Sequence, residues 1–221
     1  PFHSERPVWL AVDFVESGLD VKKLMKQLLL SATYRQSSLA SEASREADPG
    51  NLLYSRFPAH RLSAETIRDK ALAASKLLVP KIGGPSVYPY QPDGLWKALA
   101  TRNATEYRQQ SGDSLYRRSL YTIWKRSSPP PSMVNFDAPD RYNCVVRRQK
   151  TATPLQSLVL MNDPQFVEAA KVLAQHSLQD AGPETEAQFR FAFLALINRS
   201  PSGREMDLLR NLYQESLNDF L

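Results

Sequence analysis

The sequence predicts a mainly α-helical fold, a helical bundle interrupted by a proline-rich irregular insert. Apolar residues recur at helical spacing within residues 1–79 and again within 151–221. Between them, residues 80–150 contain eight of the 16 prolines and four of the eight glycines, a density through which long helices cannot persist. With 221 residues, 42% of them apolar, the chain can bury a sizeable core, and we expect the three segments to form one integrated domain.

Two helices are predicted in the first segment after its opening residues. Asp20 is a suitable N-cap for an apolar face that predicts a helix over 20–31. Ser63 opens a second helix, which is expected to run through Leu78 until the proline two residues later ends it. The polar stretch 37–50 between them has the composition of an exposed connection. The apolar face of the first of these helices consists of Val21, Leu24, Met25, Leu28 and Leu29.

The insert is expected to be irregular, with one short sheet element. Residues 83–92 fit an extended or looped segment, too rich in proline to cradle a phosphate with backbone N–H groups. Residues 119–124 fit a strand by alternation or a helix by spacing, and the flanking prolines and β-branched content favour the strand. Val145 and Val146 are its predicted pairing partners, which would make a small two-stranded hairpin.

Three helix-start signals divide the last segment into antiparallel helices with short connections. Thr153, followed by Pro154 and by a glutamine three residues on, predicts a capping box with proline at the first helical position. Asp163 before a proline repeats the signal, and Ser202 with Glu205 forms a third capping pair. The apolar residues expected on the buried faces are Phe166, Val167, Ala170, Leu173, Ala174, Leu178, Phe189, Phe193, Leu196, Ile197, Met206, Leu209, Leu212, Tyr213 and Leu217.

Composition excludes several classes of function. One cysteine, Cys144, and three scattered histidines, His3, His60 and His176, do not supply a thiol or imidazole metal site or a haem attachment motif. We therefore predict no cofactor. No apolar run is long enough to cross a membrane, and the first residues lack the layout of a signal peptide. Because the chain lacks an initiator methionine, we expect it to belong to a longer product.

The net charge of +5 is unevenly distributed along the chain. Residues 102–150 carry 10 Lys and Arg against 4 Asp and Glu, whereas residues 151–221 carry 5 against 9. This asymmetry has two interpretations: the basic part binds an anionic ligand, or the two parts neutralise each other within one fold. The second interpretation is favoured.

A basic and aromatic segment, residues 116–150, is the main candidate site. Its cations and rings can bind a polyanion by ion pairing and stacking. Alternatively, arginines stack on its rings and pair with acidic groups, fastening the insert to the helices, and this interpretation is favoured. The candidate ligand-binding residues are Arg117, Arg118, Trp124, Arg126, Arg147 and Arg148.

Weaker candidates lie within and beside this segment. Asp137 and Asp140 flank Ala138-Pro139 and fit either an acid/base pair for glycoside hydrolysis or, as favoured here, an ordinary turn. The aromatic residues can line a sugar platform, although core burial explains most such rings. Helix residues Glu65, Arg68 and Asp69 can reach the basic segment. The platform residues are Tyr88, Tyr90, Trp96 and Trp124.

The sequence resembles the domain-of-unknown-function family 1553, also called planctomycete-specific domain one. The resemblance covers essentially the whole chain and rests on FVESGLDVKKLMKQLLLSATYRQSS, HRLSAETIRDKALAASKLL, GGPSVYPYQP, YRRSLYTIWKRSSPPPSMVNFDAPDR and, most specifically, RRQKTATPLQSLVLMNDPQFVEAA. Members carry a further helical segment upstream of the position of His3. The resemblance thus implies the C-terminal larger part of the domain.

The resemblance implies a setting rather than a reaction. Such domains occur in large exported bacterial proteins, beside another uncharacterised domain and often a c-type cytochrome domain, and the family has no catalytic residues to carry over. We therefore expect a non-catalytic structural or interaction module whose partners are other domains of the same polypeptide. The alternative is binding or breakdown of a complex or acidic polysaccharide through residues 116–150. Nucleic-acid binding is disfavoured because no recognition motif is present.

Overall fold

The computed structural model describes residues 5–98 and 106–220 and is mainly helical, which confirms the predicted fold class. The described residues contain two short 3₁₀ helices, Gly112–Tyr116 and Ser119–Tyr121, and ten α-helices. The α-helices are α1 (Glu5–Glu16), α2 (Val21–Leu30), α3 (Glu42–Ala47), α4 (Ala64–Ala74), α5 (Leu95–Ala98), α6 (Pro131–Asn135), α7 (Pro154–Asn162), α8 (Pro164–Asp180), α9 (Thr185–Ile197) and α10 (Gly203–Phe220).

The chain divides into two compact units, Pro1–Arg61 and Leu62–Leu221. The division falls before α4, whereas the first segment boundary of the sequence analysis lies at 79/80. The second unit therefore holds the whole insert together with α4 and the C-terminal helices.

The first unit is built from α1, α2 and α3. The side chain of Asp20 accepts a hydrogen bond from the N–H of Lys23 at 3.0 Å, so the predicted cap and helix are confirmed. The stretch 37–50, predicted to be a connection, contains α3, which begins after Ser41. This prediction was incomplete because the serine cap and alanine-rich composition supply a short helix without an apolar stripe.

The second unit is organised around α4, which contacts α6, α8 and α9. Its core cluster consists of Ala64, Met133, Phe136 and Phe166, with Val159 and Trp124 packed against it. Ser63 caps α4 as predicted, by accepting a hydrogen bond from the N–H of Thr66. The helix ends at Ala74 rather than at Leu78, because Lys76 adopts a left-handed conformation and the N–H groups of residues 77 and 78 turn back to the carbonyl of Leu72.

The predicted two-stranded hairpin is wrong. Residues 119–121 form a 3₁₀ helix, and the exposed Val145 and Val146 are not in a strand. The backbone on either side of residues 117–120 instead bonds to residues 79–87, through Val79 N to Tyr116 O at 3.0 Å, Val87 N to Tyr121 O at 2.8 Å and Ile123 N to Val87 O at 2.9 Å. These isolated parallel bridges satisfy the backbone groups that a hairpin would have paired.

The starts of α7, α8 and α10 lie where predicted, but the first cap differs in its chemistry. Thr153 makes no side-chain cap hydrogen bond, so the predicted capping box at α7 is wrong. Gln156, the other predicted member of the capping box, is buried, and its side-chain amide donates to the carbonyl of Asn135 at 3.0 Å. The caps at Asp163 and at the Ser202–Glu205 pair are confirmed.

Several residues predicted to be buried are exposed. In α8 the buried face consists of Gln165, Phe166, Ala169, Leu173 and Ser177. Phe166 and Leu173 were predicted correctly, whereas the other predicted members of the α8 face are exposed. The remaining exposed residues of the predicted faces are Leu196, Ile197, Leu212, Tyr213 and Leu217. Both sides of α8 carry apolar residues, so spacing alone did not identify the side that packs.

Candidate functional site

The beginning of the basic segment is bound by a buried arginine on another element, Arg68 of α4. Only 2% of this residue is exposed. Its guanidinium donates to the carbonyls of Leu115 at 2.7 Å and Arg117 at 2.8 Å, and to the hydroxyl of Ser119 at 3.2 Å. Its Nε donates to the side-chain oxygen of Gln165 in α8. One side chain thus joins α4, the 3₁₀ segment and α8.

The guanidinium of Arg68 is charged, and groups of the chain itself accept its hydrogen bonds. Burial lowers its pKa to about 10, and Asp69 and Asp163 oppose that shift. A carboxylate oxygen of Asp69 lies 3.8 Å from the guanidinium and also accepts the N–H of Ser119 at 2.7 Å. At neutral pH Arg68 therefore remains protonated, and its donors are directed at backbone oxygens of the insert.

Arg117 continues this arrangement on the insert itself and is 5% exposed. Its guanidinium donates to the carbonyls of Lys81 at 3.0 Å, Gly83 and Pro85 at 3.1 Å, and stacks 3.8 Å from the centre of the Tyr121 ring. Gly83 and the residue after it have φ of +80° and +87°, which favours glycine and turns these carbonyls inward. Arg68 and Arg117, linked through the carbonyl of Arg117, are called the arginine relay below.

A tyrosine and glutamate cluster adds a second connection to α8. The hydroxyl of Tyr116 donates to a carboxylate oxygen of Glu168 at 2.8 Å. Burial and this hydrogen bond raise the pKa of Tyr116, and burial with the same carboxylate raises the pKa of Tyr90. Both phenols thus stay neutral, and Tyr116 donates its hydrogen bond to α8.

The other predicted basic residues are less buried. Arg118 has an ion pair of 3.7 Å with Asp69, and Arg148 donates to Glu65 at 2.7 Å. Burial raises the pKa of Glu65, but its hydrogen bond to Arg148 and other local contacts together lower it below the usual value. Arg126 lies over the Tyr142 ring at 5.6 Å, and Arg147 is exposed. Sequence reasoning grouped these residues, whereas the structure distributes them around several contacts.

The two candidate carboxylates each accept hydrogen bonds from other residues of the chain. Asp137 accepts the N–H of Thr151 at 2.7 Å and the hydroxyl of the same residue at 2.9 Å. Asp140 accepts the N–H of Tyr142 at 3.0 Å. They line one cavity of about 400 Å³ with Arg148. The Asp140 bond is that of a turn residue, whereas Asp137 binds a residue 14 positions further along the chain.

The predicted sugar-platform rings are divided among three places, and Tyr90 lies apart from the others, lining a groove with Pro92 and Leu158. Tyr88 and Trp96 pack edge to face with Tyr107, and Lys125 lies 4.6 Å from the centre of the Trp96 ring. Trp124 packs on the α4 core, with Arg141 4.4 Å from its ring centre. The rings thus form no continuous platform among the described residues.

A family model described as PSD1, protein of unknown function (DUF1553), matches residues 1–213. The chain belongs to this family. No protein with a curated description matches it, and no solved structure matches it.

In this member of family 1553, the residues that sequence reasoning missed are polar and lie on helices. The sequence did not single out Gln165 or Glu168 of α8, yet Gln165 accepts from Arg68 and Glu168 accepts from Tyr116 of the insert. One signal was available: a glutamine and a glutamate beside the predicted apolar face, next to the Asp163 cap. Spacing could not show that this polar edge faces inward.

The described part of this family-1553 chain offers limited cofactor chemistry. It has no cluster of three or more His, Cys, Asp or Glu residues arranged to hold a metal ion. His3 lies outside the described residues, and Cys144 is an exposed free thiol. Among the described helices, none is long and apolar enough to span a bilayer.

Proposed function

We propose that this family-1553 chain is a non-catalytic structural and interaction module of a larger exported protein. Its partners are other domains of the same polypeptide, among them a c-type cytochrome domain. The family resemblance supports that setting. The arginine relay supports the structural role, because the most buried basic groups of the candidate site bind the chain's own carbonyls.

The physical need for the relay follows from the composition of the insert. Proline lacks an N–H group, so a proline-rich segment offers few donors to its own carbonyls. A guanidinium carries five N–H donors in a fixed fork and can satisfy several carbonyls at once. Buried basic residues in this segment therefore stabilise its fold. The loop surface beside α4 and α8 is thereby held in one conformation.

The decisive experiment compares Arg117→Ala with two exposed controls, Arg126→Ala and Arg147→Ala. We expect the first substitution to lower the free energy of unfolding by about 2–4 kcal/mol, because it leaves buried carbonyls unpaired. It should also accelerate proteolysis within residues 81–87. The controls should change stability by less than about 0.5 kcal/mol.

Retention on immobilised heparin measures the alternative role of the same residues, which is binding of a polyanion. If Arg117→Ala keeps full stability and protease resistance but loses retention, the structural role is refuted. If stability falls while retention at matched salt is unchanged in folded protein, the structural role is supported.

A second candidate function is binding of an acidic polysaccharide through residues 116–150. It is favoured by a cavity of about 520 Å³ that Arg118, Arg141 and Arg148 line. Arg118 and Arg148 pair there with Asp69 and Glu65, whereas the contact of Arg141 is with the ring of Trp124. An anionic sugar would pair with the charge of Arg141. Arg141→Ala should then abolish salt-sensitive retention on a sulfated or uronic polymer while the unfolding midpoint stays constant.

Polysaccharide breakdown requires more than this cavity, since an acid and a base must both reach the bond. Polysaccharide breakdown is tested by measuring the release of reducing ends from uronic and sulfated polymers. The unaltered chain is compared with Asp137→Asn and Asp140→Asn. Activity that survives both substitutions would exclude these carboxylates as its source.

A further inference from the structure

An apolar groove lies between α6, α7 and the proline-rich segment that includes Tyr90. Its volume is about 450 Å³, within the range of sites that bind small ligands or single side chains of a partner. The residues that line it are Tyr90, Gln91, Pro92, Pro131, Ser132, Asn135, Leu155, Leu158, Val159, Asn162, Asp163 and Pro164. It shares no lining residue with the cavity that contains Arg118.

The helix that forms one wall of the groove, α7, buries a polar residue and exposes several apolar ones, although its Val159 packs on the core. In α7 the buried residue is Gln156, whereas Leu155 and Leu158 are 59% and 52% exposed. Met161, one turn further on, is also exposed. A contiguous apolar surface beside a groove is typical of a binding site rather than of a solvated helix face.

Polar groups at the groove have unused hydrogen-bonding capacity. The Nε2 of Gln91 is buried and has no hydrogen-bond partner in the described structure. Such an orphan donor is unfavourable unless an acceptor reaches it. The hydroxyl of Ser132 and the side-chain amide of Asn135 likewise make no hydrogen bond to another described residue. Amides and hydroxyls at this spacing suit the alternating donors and acceptors of a peptide backbone.

The groove also has one charge. Asp163 is the charged residue of its lining, and within the described residues it has no ion pair, while one carboxylate oxygen caps α8. Burial raises its pKa, against the effect of the Gln165 N–H and Arg68. A basic group on a ligand would therefore be complementary to this wall.

We propose that this groove binds a short linear peptide segment of a partner protein. A leucine-sized side chain enters between Leu158 and Tyr90, the peptide backbone bonds to Gln91 and Asn135, and a neighbouring Lys or Arg faces Asp163. This rests on the proposed function as an interaction module, for which it names the contact surface and the partner chemistry. The aliphatic wall favours a peptide over a sugar, whose hydroxyls would be left against Leu155 and Val159.

The test uses the hexapeptide Ser-Lys-Leu-Ser-Leu-Ser with blocked ends, and a matched peptide with Glu in place of Lys. Titration into the ¹⁵N-labelled full chain should shift amide resonances of the groove residues. We expect a weak affinity, in the range of about 0.1–1 mM. The Lys peptide should bind about 3–10 times more tightly than the Glu peptide at low salt.

Three substitutions locate the contact. Leu158→Arg and Leu155→Arg should each weaken binding of the Lys peptide at least about tenfold. Asp163→Asn keeps an oxygen for the helix cap and should remove the preference for Lys over Glu. Leu208→Arg on α10 changes an equally exposed leucine away from the groove and should leave affinity unchanged. Thermal midpoints establish that each variant is folded.

Several results would overturn the proposal. One is that millimolar peptide leaves the amide resonances of the groove residues unshifted. Another is that Leu155→Arg and Leu158→Arg bind the Lys peptide as tightly as the unaltered chain does. Shifts of the same resonances by cellobiose or glucuronic acid but not by peptide would assign the groove to sugar instead. These readouts do not involve Arg117, so failure here is distinguishable from failure of the structural role.

Discussion

The insert, residues 80–150, and the C-terminal helices, residues 151–221, satisfy their backbone groups in different ways. In α8 and α10, hydrogen bonds run within each helix, and Asp163 or the Ser202–Glu205 pair closes the first turn. In the insert, the arginine relay binds carbonyls that lie far apart in sequence. The C-terminal helices are therefore stabilised by hydrogen bonds between residues that are close in sequence. The proline-rich insert is stabilised by side chains from other elements.

This difference has an energetic consequence. Loss of one cap side chain removes local hydrogen bonds at a helix end and costs about 1 kcal/mol. Loss of a buried guanidinium leaves several carbonyls without a donor in a poorly solvated site, and each unsatisfied group costs about 1–3 kcal/mol. Substitutions in the relay should thus have the largest effects, and substitutions at the caps smaller ones.

The largest effect is expected for Arg68→Met, which keeps side-chain length but removes every donor. We expect a loss of about 3–5 kcal/mol in the free energy of unfolding, because the carbonyls of Leu115 and Arg117 and the amide of Gln165 lose their partner. Chemical denaturation followed by circular dichroism measures it. Hydrogen exchange should show faster exchange at Val79 and Val87, whose N–H groups bond to this segment.

Arg108→Met provides the matched control, since its side chain is exposed and its contact is a local one with Glu106. A loss below about 1 kcal/mol for Arg68→Met would contradict the comparison, because the insert would then be held without the relay. Arg68→Lys should recover only part of the stability, since one ammonium cannot reach all four acceptors.

Much of the helical part was predictable because its signals are local. Asp20, Ser63 and Asp163 cap their helices where the sequence placed them. The hairpin failed for the opposite reason. Val145 and Val146 have strand-like side chains, but the backbone that would have paired with them bonds to residues 79–87, a choice made by long-range contacts.

The helix caps test whether stability depends on the sequence signal or on the hydrogen bond that is formed. Asp163→Ala should destabilise the fold by about 1 kcal/mol, because the Gln165 N–H loses its acceptor. Thr153→Ala should cost less than about 0.5 kcal/mol, since Thr153 makes no cap hydrogen bond despite its position. Thermal and denaturant unfolding of both variants measure the pair. Equal losses would show that sequence position, rather than the bond formed, sets the value of a cap.

The candidate site was predictable as a region but not as a set of contacts. A dense run of Arg and aromatic residues identified residues 116–150, and this segment contains the buried Arg117. Gln165, Glu168 and the peptide groove were not predictable, because each depends on which side of α7 or α8 turns inward. Gln156 shows the reason: a long-range acceptor, the carbonyl of Asn135, outweighs the local capping box.

The smallest effect is expected at the start of α10, where the sequence signal and the structure agree most closely. Glu205 accepts the N–H of Ser202 at 2.8 Å and pairs with Arg199 at 2.7 Å. The hydrogen bond from Arg199 and those from Ser202 lower the pKa of Glu205 well below its usual value. A lowered pKa in the folded state means that this contribution to stability is present above the unfolded value of 4.5 and declines as pH falls below it.

Glu205→Gln should therefore lower the thermal midpoint slightly at pH 7, and the difference from the unaltered chain should narrow as pH falls from about 5 toward 2. Glutamine can still accept the Ser202 N–H, so the variant removes the charge while keeping part of the capping box. Glu215→Gln, near the other end of α10, is the control and should give a curve parallel to the unaltered chain. A difference that is constant with pH would show that the Arg199 pair contributes nothing and that the cap acts through its neutral hydrogen bond alone.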